Sequence, residues 1–290
     1  MFGFGTILYL FAAGAGAGLY VVQACVDPSN ALRTRGPRDA QLLVRKLIIV
    51  APVLVCVGSM FLVLDLSRPD RFFLVFRNPD TSLISLGACL IVLFVALSAM
   101  ENALWNSSGL TLARVVLAVR AAAFLAVIGV ILYTGFFLMS MRAVPLWHST
   151  FIVLLFTASS LSSGLALLML LYVASFRRSH MPLFMRRASQ VDTALLVVEL
   201  ALLVAFVGVQ FGGAPAAIEA GWRLLVGDVA WAFWVMLVGV GLLCPLVIDV
   251  VKGKTPAPAA FALKAITVLV GCFFLRYCIM EAGVRVLSLQ

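Results

Sequence analysis

The sequence predicts an all-α integral membrane protein with eight transmembrane helices and both termini on the outer side. Three observations carry that reading. First, 64% of the 290 residues are hydrophobic and 11% are charged, with a mean hydropathy of +1.15. A soluble domain carries about 45–50% apolar and about 25% charged residues, so a surface this poor in charge would not stay dissolved. Second, the apolar residues run in nearly uncharged stretches of bilayer-spanning length, and no short alternating segments of a transmembrane barrel appear. Third, basic residues concentrate in every other connection. At about 20 residues per span, the chain has room for about seven to ten spans and no sizeable soluble domain.

The spans fall at 3–25, 46–66, 82–100, 117–141, 147–175, 191–212, 227–250 and 260–284, one unit over residues 1–290. Span 1 has no basic residue before it, while Arg33, Arg35 and Arg38 follow it, the reverse of a secretory leader, so it reads as retained. Its Gly14 and Gly18 make a GxxxG step, and Ser159, Ser160, Ser162, Ser163 and Gly164 give span 5 a small face; both favour close helix packing. Pro52 in span 2 and Pro245 in span 7 are expected to kink their helices, and a broken transporter helix is the other reading.

Thirteen basic residues, from Arg33 to Lys264, lie in connections 1–2, 3–4, 5–6 and 7–8. Six lie on the other side: Arg68, Arg71, Arg77, Arg142, Arg223 and Arg285. Arg120 and Arg276 are left inside spans, and the bias puts both termini outside. The net charge of +9 is thus explained by loops at the membrane surface, not by a nucleic-acid partner.

The six cysteines form no CxxC or CxxCH and read as small core residues. The only histidines, His148 and His180, fall at or beyond span ends on opposite sides, so an intramembrane two-histidine haem has no ligands, and no metal is expected. His148 reads as a loop residue.

A charge near the bilayer centre costs about 2.5–3.5 kcal/mol even on the mildest scale, so Asp65, Arg120, Glu199, Arg276 and Glu281 need a partner or a purpose. From the helical rise, Arg120, Asp192 and Glu199 fall in the inner half, and Tyr9, Asp65, Tyr133 and Arg276 in the outer half. Two such clusters read as a site and a route towards it; ion pairs that fix packing are the other reading.

The outer rim carries the densest signal. Leu64-Asp65-Leu66-Ser67-Arg68-Pro69-Asp70-Arg71-Phe72 closes span 2, and Tyr133-Thr134-Gly135-Phe136-Phe137 precedes Val144-Pro145-Leu146-Trp147. A phenol, a carboxylate and an arginine beside an apolar slot suit a quinol head group, whose hydroxyls need hydrogen-bond partners and a nearby base. A carboxylate–arginine cap would give the same pattern.

These segments, with the YLFAAGAGAG of span 1 and the SSG of span 5, resemble the NrfD/polysulfide-reductase membrane-subunit family. The dimethyl-sulfoxide-reductase anchor subunit is a more distant relative. The likeness covers essentially the whole chain. It implies a haem-free, quinone-reactive anchor of a respiratory oxidoreductase in the bacterial inner membrane, with both termini periplasmic. Such an anchor exchanges electrons with an external four-cluster-type iron–sulfur subunit, which serves a molybdopterin or multihaem cytochrome catalytic subunit.

The family's quinone-site positions match Tyr9, Asp65 and Tyr133, and the same outer rim adds Arg68 to hold or orient Asp65. Tyr9 stands where relatives carry histidine, and Ser67 where the family usually has glycine. The quinone is expected to be menaquinone. Arg71, Arg77 and Arg142 would dock the partner or contact lipid headgroups. Arg120, Asp192, Glu199 and Arg276 would form an internal proton route. The competing class is a secondary transporter or channel, which predicts an inverted repeat and a midplane site; a passive anchor is a third.

Overall fold

The computed structural model describes residues 3–27, 38–65, 82–106, 110–141, 143–175, 182–251 and 258–284. Helix α1 spans Phe4–Val26, α2 Arg38–Leu64, α3 Leu83–Ala103, α4 Leu110–Met139, α5 Thr150–Ser175 and α6 Pro182–Gln210. A short α7 (Pro215–Leu225) precedes α8 (Ala232–Val251), and α9 covers Pro258–Ala282. Eight of these helices, all but α7, are long and apolar enough to cross a membrane. Strict alternation puts Phe4, Asp65, the 140–149 loop, α7 and Ala282 on one face of the bundle, here called the terminal face. The other is the far face.

Helices α1 and α5 form the centre, with 78% and 72% of their most apolar stretches buried. Their small residues explain why. A Cβ on Gly18 would lie 1.7 Å from the Ser160 carbonyl oxygen, and one on Gly164 would lie 2.3 Å from the Gly18 carbonyl carbon. Backbone meets backbone at this crossing, as the glycine and serine runs predict. Helices α2 and α4 pack on α1, with α3 against α4 and α2; α6 and α9 pack on α5, with α8 against α9. The outer helices turn large apolar side chains such as Met60, Val92, Val204 and Val247 outwards.

Three features depart from the sequence reading. Helices α2, α4 and α6 begin at Arg38, Leu110 and Pro182, eight, seven and nine residues before their expected starts, because a helix continues past the lipid boundary that hydropathy marks. Residues 232–243 are π-helical, and the Cys244 amide donates to Gly239 five residues back. Pro245, next in line, lacks an N–H and would clash with the carbonyl of residue 241 in a regular helix, and the wider π turn accommodates it. Helix α7, expected as a plain connection, buries Ala217, Ala220, Gly221 and Leu224. With Trp222, Trp231 and Trp234 all more than half exposed nearby, it forms an aromatic belt on the terminal face.

Candidate functional site

At the terminal face, Asp65 meets the start of α1. Its carboxylate accepts hydrogen bonds from the Thr6 amide at 3.2 Å and the Thr6 hydroxyl at 2.8 Å. The helix has Gly3 at its N-cap, with no side-chain cap of its own. Asp65 thus caps α1 from another helix, where the unpaired amides and the positive end of the helix dipole favour a negative charge. Cβ atoms on Gly3 and Gly5 would come within 2.0 and 3.0 Å of Asp65 atoms, so glycine permits the approach.

One turn further along α1, Tyr9 is buried. Its phenol interacts with that of Tyr133 on α4, yet its hydroxyl has no hydrogen-bond partner of good geometry among the described residues. Tyr133 in turn forms the wall of a groove of about 430 Å³ between α3 and α4. Leu83, Leu86, Leu90, Gly129, Leu132 and Phe136 give that groove its apolar length, and Ser140 and His148 stand at its terminal end. Leu83, Leu86 and Phe136 are exposed on the outer surface of the bundle, so the groove faces lipid. Tyr133 therefore joins an apolar slot on one side to the buried Tyr9 phenol on the other.

The centre holds Arg276 of α9, fully buried. Its guanidinium donates to the Leu10 carbonyl at 3.0 Å, the Ser159 and Ser160 hydroxyls at 3.0 Å each and the Cys272 carbonyl at 2.8 Å. It also lies 5.4 Å from the centroid of the Phe156 ring. Glu199 of α6 faces it across Ser159. By depth Arg276 is expected beside Tyr9, Asp65 and Tyr133, and in the proton route beside Glu199; its guanidinium bonds the Leu10 carbonyl next to Tyr9 and shares Ser159 with Glu199, because the α5 serines admit it to the bundle axis.

Two nodes lie towards the far face. In one, Lys264 Nζ sits 3.0 Å from Asp192 Oδ2 and 2.6 Å from Asp249 Oδ2, and also donates to the Ser189 carbonyl at 2.9 Å. Ser162 donates to Asp192 at 3.0 Å, while Ser189 and Thr193 donate to Asp249. In the other, Arg120 lies 3.9 Å from Glu101 and 4.0 Å from Asp27, and its Nη2 is 3.3 Å from the Gln23 carbonyl. The Tyr20 hydroxyl donates to Glu101 at 2.6 Å.

The single inner cluster of Arg120, Asp192 and Glu199 is thus two nodes and part of the central group. Lys264, counted above with the 7–8 connection, is fully buried inside α9. Removing it leaves twelve loop cations against six, so the charge bias stands. The sequence reading missed Asp27, Glu101, Asp249 and Tyr20. Lys264 lies within the expected 260–284 span, and that placement was the available signal. Arg68, Arg71, Arg77, Arg142 and His180 lie outside the described residues. Among the described residues, no group of three or more His, Cys, Asp or Glu side chains is placed to hold a metal ion.

The family model "Polysulphide reductase, NrfD" matches residues 1–288. The chain belongs to the NrfD family. It is 29% identical to the polysulfide reductase C polypeptide of Wolinella succinogenes over 295 residues, covering 95% of this chain and 92% of that protein. It is also 29% identical to protein NrfD of Escherichia coli and 27% identical to its Haemophilus influenzae homologue, each with the same coverage. As an NrfD-family protein with eight apolar helices, it is a multi-pass membrane subunit of a bacterial respiratory oxidoreductase complex.

Proposed function

We propose that this NrfD-family subunit is a haem-free quinone-reactive anchor that exchanges electrons between a quinone pool, of menaquinone type, and an extracytoplasmic four-cluster-type iron–sulfur partner. That partner serves a molybdopterin or multihaem catalytic subunit. The observation that carries the reading is the lipid-facing groove with Tyr133 on its wall and the buried Tyr9 phenol behind it. An isoprenoid tail suits the leucine-lined length, and a polar head suits the end where the phenol stands.

Oxidising a quinol breaks two O–H bonds and releases two protons and two electrons. Tyr133, backed by Tyr9, hydrogen-bonds the head. Asp65, held at the α1 N-terminus, receives a proton, and Arg68 keeps it ionised or oriented. The basic bias of the far-face connections supports a terminal face that lies outside, where Arg71, Arg77 and Arg142 would dock the partner.

Energy conservation is the finer part of the proposal. Asp192 and Glu199 lie seven residues apart on α6, about two turns, and therefore on one face. Ser162 and Ser159 of α5 contact them in the same order, and Arg276 extends the line to the Leu10 carbonyl beside Tyr9. Protons move from the Lys264 node through Asp192 to Glu199, where the permanently charged Arg276 orders the end of the line, with Arg120 serving the second far-face node.

A photoreactive azidoquinone tests the site in membranes that contain the assembled complex. Labelling of the 83–90 and 129–140 segments, competed by menaquinol and weakened in Tyr133→Phe, supports the proposal. Labelling confined to other helices overturns it.

A further inference from the structure

We propose that His148 is the second head-group ligand of the groove and the proton acceptor for the quinol hydroxyl at the loop end. The inference rests on the quinone reading above. The imidazole follows a rigid turn: the Trp147 indole is buried and donates to the Ile279 carbonyl at 2.9 Å, and the His148 amide donates to the Pro145 carbonyl at 3.1 Å. The His148 Nδ1 lies 2.9 Å from the Met139 carbonyl oxygen. A carbonyl only accepts, so Nδ1 carries the hydrogen, and Nε2 of the neutral ring is left as an acceptor.

The groove has three polar wall residues: Tyr133, Ser140 and His148. Ser140 spends its hydroxyl proton on the Phe137 carbonyl at 2.7 Å, and Tyr133 is a phenol. The imidazole is the one base on the wall; Asp65 is not among the residues lining it. Met139, which anchors His148, lies six residues beyond Tyr133 on α4, about 9 Å along the axis. Tyr133 and His148 line the same groove, so a ring with hydroxyls at opposite ends is met by a polar group at each. On oxidation the O–H bond at this end breaks, its proton goes to Nε2, and the electrons leave to the iron–sulfur partner. The exposed ring then releases the proton to water at the terminal face.

Towards the terminal face, the titratable and charged groups on the elements around His148 are Tyr133 of α4, Glu219 and Arg223 of α7 and Tyr277, Cys278 and Glu281 of α9. Arg223 is engaged with Asp228 at 3.7 Å.

The test uses the complex in its native membranes with a short-chain naphthoquinol. His148→Asn keeps an amide N–H for Met139 and removes Nε2. We expect its kcat to fall about 100-fold with little change in KM, as for loss of a general base. We expect the natural complex to lose rate towards acid pH and the variant to lack that dependence. His148→Ala regains turnover when imidazole is added, and Tyr133→Phe does not. A His148→Asn complex with the natural rate and pH profile overturns the inference. If azidoquinone labelling and the Tyr133→Phe defect persist in that case, the quinone reading survives alone. If the natural complex neither oxidises the naphthoquinol nor takes the label, both fall.

Discussion

The Tyr133 ring rests on Gly87: a methyl group built there would lie 2.1 Å from Cζ and 2.4 Å from each Cε carbon. The absence of a side chain on α3 is what lets the phenol stand at the groove wall. Gly87→Ala should cost about 1–3 kcal/mol as over-packing, push the ring aside and lower quinol turnover, while the complex still assembles. Quinol oxidation at equal complex content in membranes measures this. An unchanged rate would mean that the position of Tyr133 does not matter.

Asp65 has two roles to separate. Asp65→Asn retains a carbonyl oxygen for the Thr6 amide and loses the charge, so the cap should weaken by at most about 1 kcal/mol. Turnover should fall about 10- to 100-fold if the carboxylate takes a proton. Assembly with full quinol turnover in this variant would reduce Asp65 to a helix cap.

Lys264 holds two carboxylates inside the bundle. Lys264→Met should destabilise by about 3–5 kcal/mol, since it leaves Asp192 and Asp249 without their cation. Thermal unfolding in mild detergent checks this. Adding Asp192→Asn should restore part of the loss, and no restoration would show that the three groups do not act as one node.

Glu199 tests the proton route independently of the quinone site. Glu199→Gln keeps the shape and the Ser159 contact. Quinol oxidation should continue at a comparable rate, while proton uptake from the far face of sealed vesicles drops. Equal proton uptake per electron in variant and natural protein would make the Glu199–Arg276 pair structural.

The number of spans and their small-residue contacts were legible because lipid imposes them: backbone must hydrogen-bond within each helix, and only glycine and serine allow a crossing like Gly18 on Gly164. Hydropathy reports the lipid boundary, so it missed the first two turns of α2 from Arg38 to Arg45. At 11 residues, α7 is too short for that signal, and its cue was the alternation of Ala217, Ala220, Gly221 and Leu224 with polar positions. Tyr9, Asp65 and Tyr133 were singled out through motif resemblance, and they stand towards the same end of the bundle. Their partners were not. That Arg276 meets Glu199, Arg120 meets Glu101 and Lys264 meets Asp249 depends on which helix faces touch, and one-dimensional periodicity does not contain it. The groove was invisible for the same reason, so His148 read as loop when it lines the slot beside Tyr133.

The most direct measurement is reduction of the partner's iron–sulfur centres by quinol, followed by electron paramagnetic resonance in complex purified through this chain in mild detergent. The account predicts co-purifying iron and sulfide, rapid appearance of the reduced-cluster signal with the natural protein, and a signal about 100-fold slower with Tyr133→Phe. A chain that purifies intact without an iron–sulfur partner in several mild detergents, or clusters reduced equally fast in the variant, would contradict it.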